Sequence, residues 1–166
     1  AVETIYVDQS GPDITSFTVD GGTGTVNTAA DTVDISFELS DTGVGNMDYQ
    51  IKITDPSGTT TTTTAWTAIG SGQNASDNLA NYSLGTTDGT YTVTLEARDE
   101  LLNPATPSMI DVSRDASSPT ITSFTVDGGT GTVNTAADTV DLFFELSDTG
   151  VVNMDYQIKI TGPSGT

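Results

Sequence analysis

The chain has 166 residues, with 4 Lys+Arg against 23 Asp+Glu, a formal net charge of -19, and neither histidine nor cysteine. That field repels phosphate backbones and anionic bilayers, which excludes nucleic acid as a partner and favours cations. Lacking cysteine, the chain has no disulfides or thiolate metal sites; lacking histidine, it has no usual general base or zinc ligand, so an enzyme is not expected. No apolar run is long enough to span a bilayer, and no membrane insertion is predicted. Ala1-Val2-Glu3-Thr4 is not a signal peptide, so any secretion signal is expected outside this sequence.

Charged residues are only 16% of the chain, and Thr, Ser and Gly supply most of its polarity, which together with alternating apolar positions predicts an all-β protein. A first strand is expected over Ile14–Val19, closed by the turn Asp20-Gly21-Gly22. In Thr32–Leu39 the residues Val33, Ile35, Phe37 and Leu39 share one face. After Asp41-Thr42-Gly43, the segment Met47–Thr54 points Met47, Tyr49, Ile51 and Ile53 inward. The turn Asp55-Pro56-Ser57-Gly58 leads into a threonine run, 59–64, which is either an edge strand or an extended connector. Residues 70–80 are polar and read as a loop. Asp88-Gly89 opens a strand over Thr90–Arg98 whose inward set is Tyr91, Val93, Leu95 and Ala97, and Met109–Ser113 is the last strand. Tyr91 is either a tyrosine corner or an ordinary core tyrosine after a turn.

Residues 12–59 reappear as 119–166, and of these paired positions only Asp13/Thr120, Ile35/Leu142, Ser36/Phe143, Gly45/Val152 and Asp55/Gly162 differ. A period of about a hundred residues suits a whole sandwich domain, not a solenoid repeat. The chain therefore divides into 1–11, the tail of a preceding repeat with its linker; 12–118, a complete repeat; and 119–166, the first part of the next. Linkers are expected at Val7–Pro12 and Arg114–Pro119, each with an Asp four residues before a Pro. Seven or so short strands per repeat predict an immunoglobulin-like antiparallel β-sandwich in tandem.

The stretch Gly89-Thr90-Tyr91-Thr92-Val93-Thr94-Leu95-Glu96-Ala97-Arg98-Asp99 through Asn103, then Val112, Asp115 and Pro119, resembles bacterial Ig-like repeats. Phe37-Glu38-Leu39-Ser40-Asp41-Thr42-Gly43-Val44 and Asp55-Pro56-Ser57-Gly58 match the first half of the same family. The resemblance implies an extender region of a large secreted adhesin, on the bacterial cell surface, with calcium at the joints and neighbouring repeats as partners. The chain departs from the pattern at Leu102, where the family carries Gly.

Sandwich topology brings the second–third and sixth–seventh strand loops to the end where the chain comes in. Asp8, Asp41, Asp99 and Asn103 are therefore expected to meet as a Ca2+ site, with Asn46, Asp48 and Glu100 near enough to substitute. Asp115 and Asp148 repeat part of the pattern at the second joint. For any one of these residues a solvated turn aspartate is the simpler reading. Gly21–Thr25 lacks the Asp of a calcium nonapeptide and reads as a turn; Asn74-Ala75-Ser76 and Asn81-Tyr82-Ser83 are chance-level sequons. Lys52 faces outward, and Trp66 either stacks on a sugar or, the simpler reading, covers the core edge.

These features predict a non-catalytic spacer module. Two alternatives compete: a glycan-binding module using Trp66 and 70–80, and a fibre subunit. In the latter, about three strands in 119–166 leave Val140, Leu142, Phe144, Met154, Tyr156 and Ile158 exposed for strand complementation or self-association.

Overall fold

A computed structural model describes residues 3, 7–43, 45–62, 64–71, 74–136, 139–148 and 154–162, with only the backbone at 61, 62 and 71. Val44, Thr63 and parts of the predicted segments 1–11, 70–80 and 119–166 lie outside the described residues. The chain forms two compact units, Ala1–Ala116 and Ser117–Thr166.

In the first unit, β1 (Asp13–Val19), β3 (Thr32–Ser40) and β7 (Asn74–Ser83) form one sheet in the order β1-β3-β7. The second sheet has the order β2-β9-β8-β4-β5, from β2 (Val26–Thr28), β9 (Ser108–Arg114), β8 (Gly89–Asp99), β4 (Asn46–Thr54) and β5 (Thr60–Thr62). β6 (Thr67–Ser71) continues the β5 edge, pairing with the first half of β4. Among the described residues there is no helix. The alternating residues decide the layers. Val33, Ile35, Phe37 and Leu39 from one sheet, and Met47, Tyr49, Ile51, Ile53, Tyr91, Val93, Leu95 and Ala97 from the other, are all buried in one cluster. The two inner faces thus enclose a single core, and the first unit is an immunoglobulin-like β-sandwich.

Three details modify the sequence reading. Pairing is antiparallel except that β2 runs parallel to β9, Val26 beside Val112, because after the Asp20-Gly21 turn the chain crosses to the edge of the other sheet. Residues 74–83 are a strand, not a loop. Their alternation is hidden because Asp77 occupies an inward-leaning position and a bulge at Asn81 (φ 56) breaks the parity between Leu79 and Tyr82. Arg114, expected in a linker, ends β9 at 5% exposure, with its guanidinium forked between the carboxylates of Asp31 and Asp88.

Turn chemistry explains the corners. Asp55 Oδ1 accepts from the Ser57 and Thr59 backbone N–H groups and the Ser57 hydroxyl, and these bonds, the Ser57 hydroxyl foremost, hold its carboxyl below the usual range. Tyr91 is a tyrosine corner: its buried hydroxyl donates to the Thr87 carbonyl at 2.9 Å. Tyr49 donates to Asp77 at 3.0 Å, and burial followed by that bond pushes its pKa up to about 12.

The second unit contains β10 (Thr120–Val126) antiparallel to β11 (Leu142–Ser147), in the register of β1 and β3 and with the same bulge. The third strand expected there does not form: the described residues 154–162 belong to no ladder. Their twin, β4, is held by β8, β5 and β6, and among the described residues of the second unit no such strands lie beside 154–162.

Candidate metal centre

The group of acids that the topology predicts assembles from three separate stretches. Asp8 lies in the linker before β1, Asp41 follows β3, and Asp99 is the last residue of β8. One carboxylate oxygen from each lies within 4.8 Å of the others. Asp99 is 4% exposed, and Asp8 and Asp41 are half-buried.

Local structure fixes each member. Asp8 Oδ1 accepts from the backbone N–H and hydroxyl of Ser10, at 3.1 and 3.0 Å. Asp41 Oδ1 accepts from the Gly43 N–H at 3.0 Å, a turn that folds the loop back on its first residue. Asp99 anchors a tight turn: its carboxylate accepts from the backbone and side-chain N–H of Asn103, at 2.8 and 2.7 Å. The same Asn103 amide group donates to the Asp8 carbonyl at 3.3 Å, tying the linker to the end of β8. In this arrangement the Asn103 side-chain nitrogen joins Asp99 to the linker.

Leu102 in this turn sits at φ 69, the left-handed region that Gly occupies without strain and that a leucine disfavours. Two glycines set the room available. A Cβ on Gly43 would stand 1.8 Å from Asp8 Oδ2, and one on Gly11 would stand 2.2 Å from the Pro104 carbonyl oxygen. Sequence reading missed both glycines, although the Gly43-x-Gly45 spacing after Asp41 signals a loop pressed against something.

Among the described residues of the first unit, no basic group neutralises the trio: Lys52 pairs with Glu96, Arg98 with Asp48, and Arg114 with Asp31 and Asp88. Three like charges at this spacing repel by roughly 3 kcal/mol per pair at an effective dielectric of about 20, less where solvent screens. The donor set is oxygen alone, which suits a hard cation such as Ca2+.

The other expected members stand apart. Asp48 is turned to Arg98, at 3.1 Å, so it cannot substitute in the group, and the Glu100 carboxylate lies against Gly45. Asn46 begins β4. Asp115 donates its backbone N–H to the Thr28 carbonyl, and Asp148, in the second unit, accepts from the Ser117 hydroxyl at 2.9 Å. Neither belongs to a group of three carboxylates among the described residues. Trp66 does not cover the core: the Arg98 guanidinium sits 4.1 Å over its ring, and 70–80 offers strands in place of the expected loop.

No protein family matches this sequence, and no curated protein does. Among solved structures, the chain is similar to the PKD domain of an M14-like peptidase from a Thermoplasmatales archaeon, at 22% identity and TM-score 0.43, over 64% of this chain and 98% of that one. It is also similar to an ASH/PapD-like domain of human CEP192, at 14% identity and TM-score 0.33, over 71% of this chain and 95% of that one. A third likeness is to an LPMO from Kitasatospora papulosa, at 16% identity and TM-score 0.31, over 59% of this chain and 56% of that one.

Proposed function

We propose that the chain is a non-catalytic spacer module of a bacterial cell-surface protein, in which sandwich domains follow one another and Ca2+ stiffens the joint before each. One observation carries the reading: a linker carboxylate, Asp8, lies with Asp41 and Asp99 of the sandwich in one acidic group that no basic side chain neutralises among the described residues of the first unit. A cation there would convert mutual repulsion into a clamp, fixing the linker to the two loops at the end of the domain. The near-identity of 12–59 and 119–166 supports serial repetition of the module along an extender.

Isothermal calorimetry of the 166-residue chain with CaCl2, paired with melting scans in calcium and in EDTA, tests the clamp. The expected result is calcium binding and a melting temperature that falls in EDTA. No binding heat and identical melting curves would remove calcium from the proposal, and rapid proteolysis of the linker in calcium would remove the rigid joint.

A further inference from the structure

The inner face of β9 runs Ile110, Val112, Arg114, so a cation stands where the alternation calls for an apolar residue. Arg114 is 5% exposed, and an arginine is almost never buried unless it is paired. Its guanidinium is forked: Nε and Nη2 donate to Asp31 Oδ1, and Nη1 to Asp88 Oδ1. Asp31 lies in the turn between β2 and β3, and Asp88 in the turn between β7 and β8. The next residues of the chain are held at the same place. The Asp115 N–H donates to the Thr28 carbonyl at 2.9 Å, and the Ala116 N–H to Asp88 Oδ1 at 3.0 Å. The Asp31 carbonyl accepts from the Leu84 N–H at 2.9 Å, which ties the two turns to each other. One buried side chain thus joins the exit of the sandwich to both flanking turns.

A buried ion pair is weak grounds for stability, since apolar residues of the same volume often do as well. What the fork adds is direction. β1 starts at Asp13, opposite Ser40 and so at the end that carries Asp41, whereas Arg114 faces Gly89, the far end of the strand that finishes at Asp99. The chain therefore enters at one end of the unit and leaves at the other. Tension between entry and exit pulls β9 along its own axis. Its ladder bonds to β8 and β2 lie across that axis and are loaded together, and β9 cannot slide until the guanidinium leaves both carboxylates. We propose that Arg114, with Asp31 and Asp88, is a force-bearing latch that resists extraction of β9 when the unit is stretched from end to end. The spacer reading supplies only the source of the tension, and the latch itself needs no metal.

Optical-tweezers unfolding of the 166-residue chain in EDTA tests this, with handles on introduced cysteines, since the chain has none of its own. The pair Gln9→Cys, Ala116→Cys stretches the unit through β9. The pair Gln9→Cys, Thr86→Cys pulls toward the same end through the turn between β7 and β8, which leaves β9 off the load path. Forced unfolding reads the unfolding rate. At equal force, Arg114→Met should raise that rate roughly tenfold or more in the first geometry and by no more than about threefold in the second. Asp31→Asn breaks one arm and leaves the cation paired with Asp88, so it should give a smaller rise in the first geometry alone. That variant keeps the latch testable where Arg114→Met does not fold. Arg98→Gln removes an ion pair at the other end of β8 and should leave both rates within about twofold. An acceleration equal in both geometries, or matched by Arg98→Gln, would make Arg114 an ordinary contributor to stability. No acceleration in the first geometry would mean that it bears no load, and either result overturns the proposal. Failure of the spacer reading would leave these rates untouched, because they are measured on one unit without calcium.

Discussion

Gly43→Ala tests the acidic group without removing a single acid. Gly43 has no left-handed backbone angle, so Ala fits the chain locally, and such a change by itself stabilises by about 0.4–1 kcal/mol through the unfolded state. Its Cβ, however, claims the space 1.8 Å from Asp8 Oδ2, so the carboxylate must swing away and give up its two bonds from Ser10. Those bonds are exposed and worth about 1 kcal/mol together, so the metal-free protein should change by less than about 1 kcal/mol in either direction. Calcium at a hundred times its Kd stabilises the native state by about 2.7 kcal/mol, which for a domain of this size raises Tm by roughly 10–20 °C. Displacing one of three carboxylates is placed at the hundredfold end of the losses seen on disturbing metal sites. At the same calcium concentration that leaves about 0.4 kcal/mol, or 2–3 °C. Differential scanning calorimetry in calcium and in EDTA reads both numbers. Gly24→Ala, in an open turn with nothing within 4 Å of the added carbon, serves as the control and should keep the full shift. A Gly43→Ala variant with the wild-type calcium shift, or one that loses several kcal/mol without calcium, would refute the reasoning.

Two further outcomes follow from the geometry. Leu102→Gly relieves a left-handed residue at a strain of about 1–2 kcal/mol, against about 0.5–1 kcal/mol of added chain entropy, and the leucine is 63% exposed. The urea midpoint should therefore rise by the equivalent of about 0.5–1 kcal/mol with m unchanged, and a fall would contradict the strain. Tyr49 keeps its proton in the folded state up to about pH 12, while in the unfolded chain it ionises near 10. The native state then holds more protons between those values, so this contribution is complete below pH 10 and is lost as pH rises toward 12. Urea melts across that window should show a shallower alkaline decline in Tyr49→Phe, and an unchanged slope would contradict the assignment.

Much of the first unit was legible because its signals are local. Every member of the period-two sets in Thr32–Leu39, Met47–Thr54 and Thr90–Arg98 lies in the buried core. The convergence of Asp8, Asp41 and Asp99 was also legible, since it depends only on which loops share an end of the sandwich. What escaped was non-local or compensated. β7 hides its face behind Asp77 and a bulge, and both make sense only once Tyr49 and β3 lie opposite. Arg114 looked like a linker charge because its partners, Asp31 and Asp88, are distant in sequence and themselves resemble ordinary turn acids. Leu102 looked like a broken motif, yet the chain keeps the left-handed turn and tolerates the side chain at the surface.

The near-duplicate halves separate what a segment specifies from what its neighbours impose. β1–β3 and β10–β11 share register, bulge and the turn with Asp20 and Asp127 at φ 48, although three of the differing positions, Asp13/Thr120, Ile35/Leu142 and Ser36/Phe143, fall within the paired strands. That hairpin closes on its own residues. The segments Met47–Thr54 and Met154–Thr161 are identical, yet only the first is a strand. Backbone donors and acceptors need a ladder partner, and in the first unit β8 supplies one along the whole length of β4. A strand whose pairing comes entirely from elsewhere in the fold is therefore defined by what lies beside it.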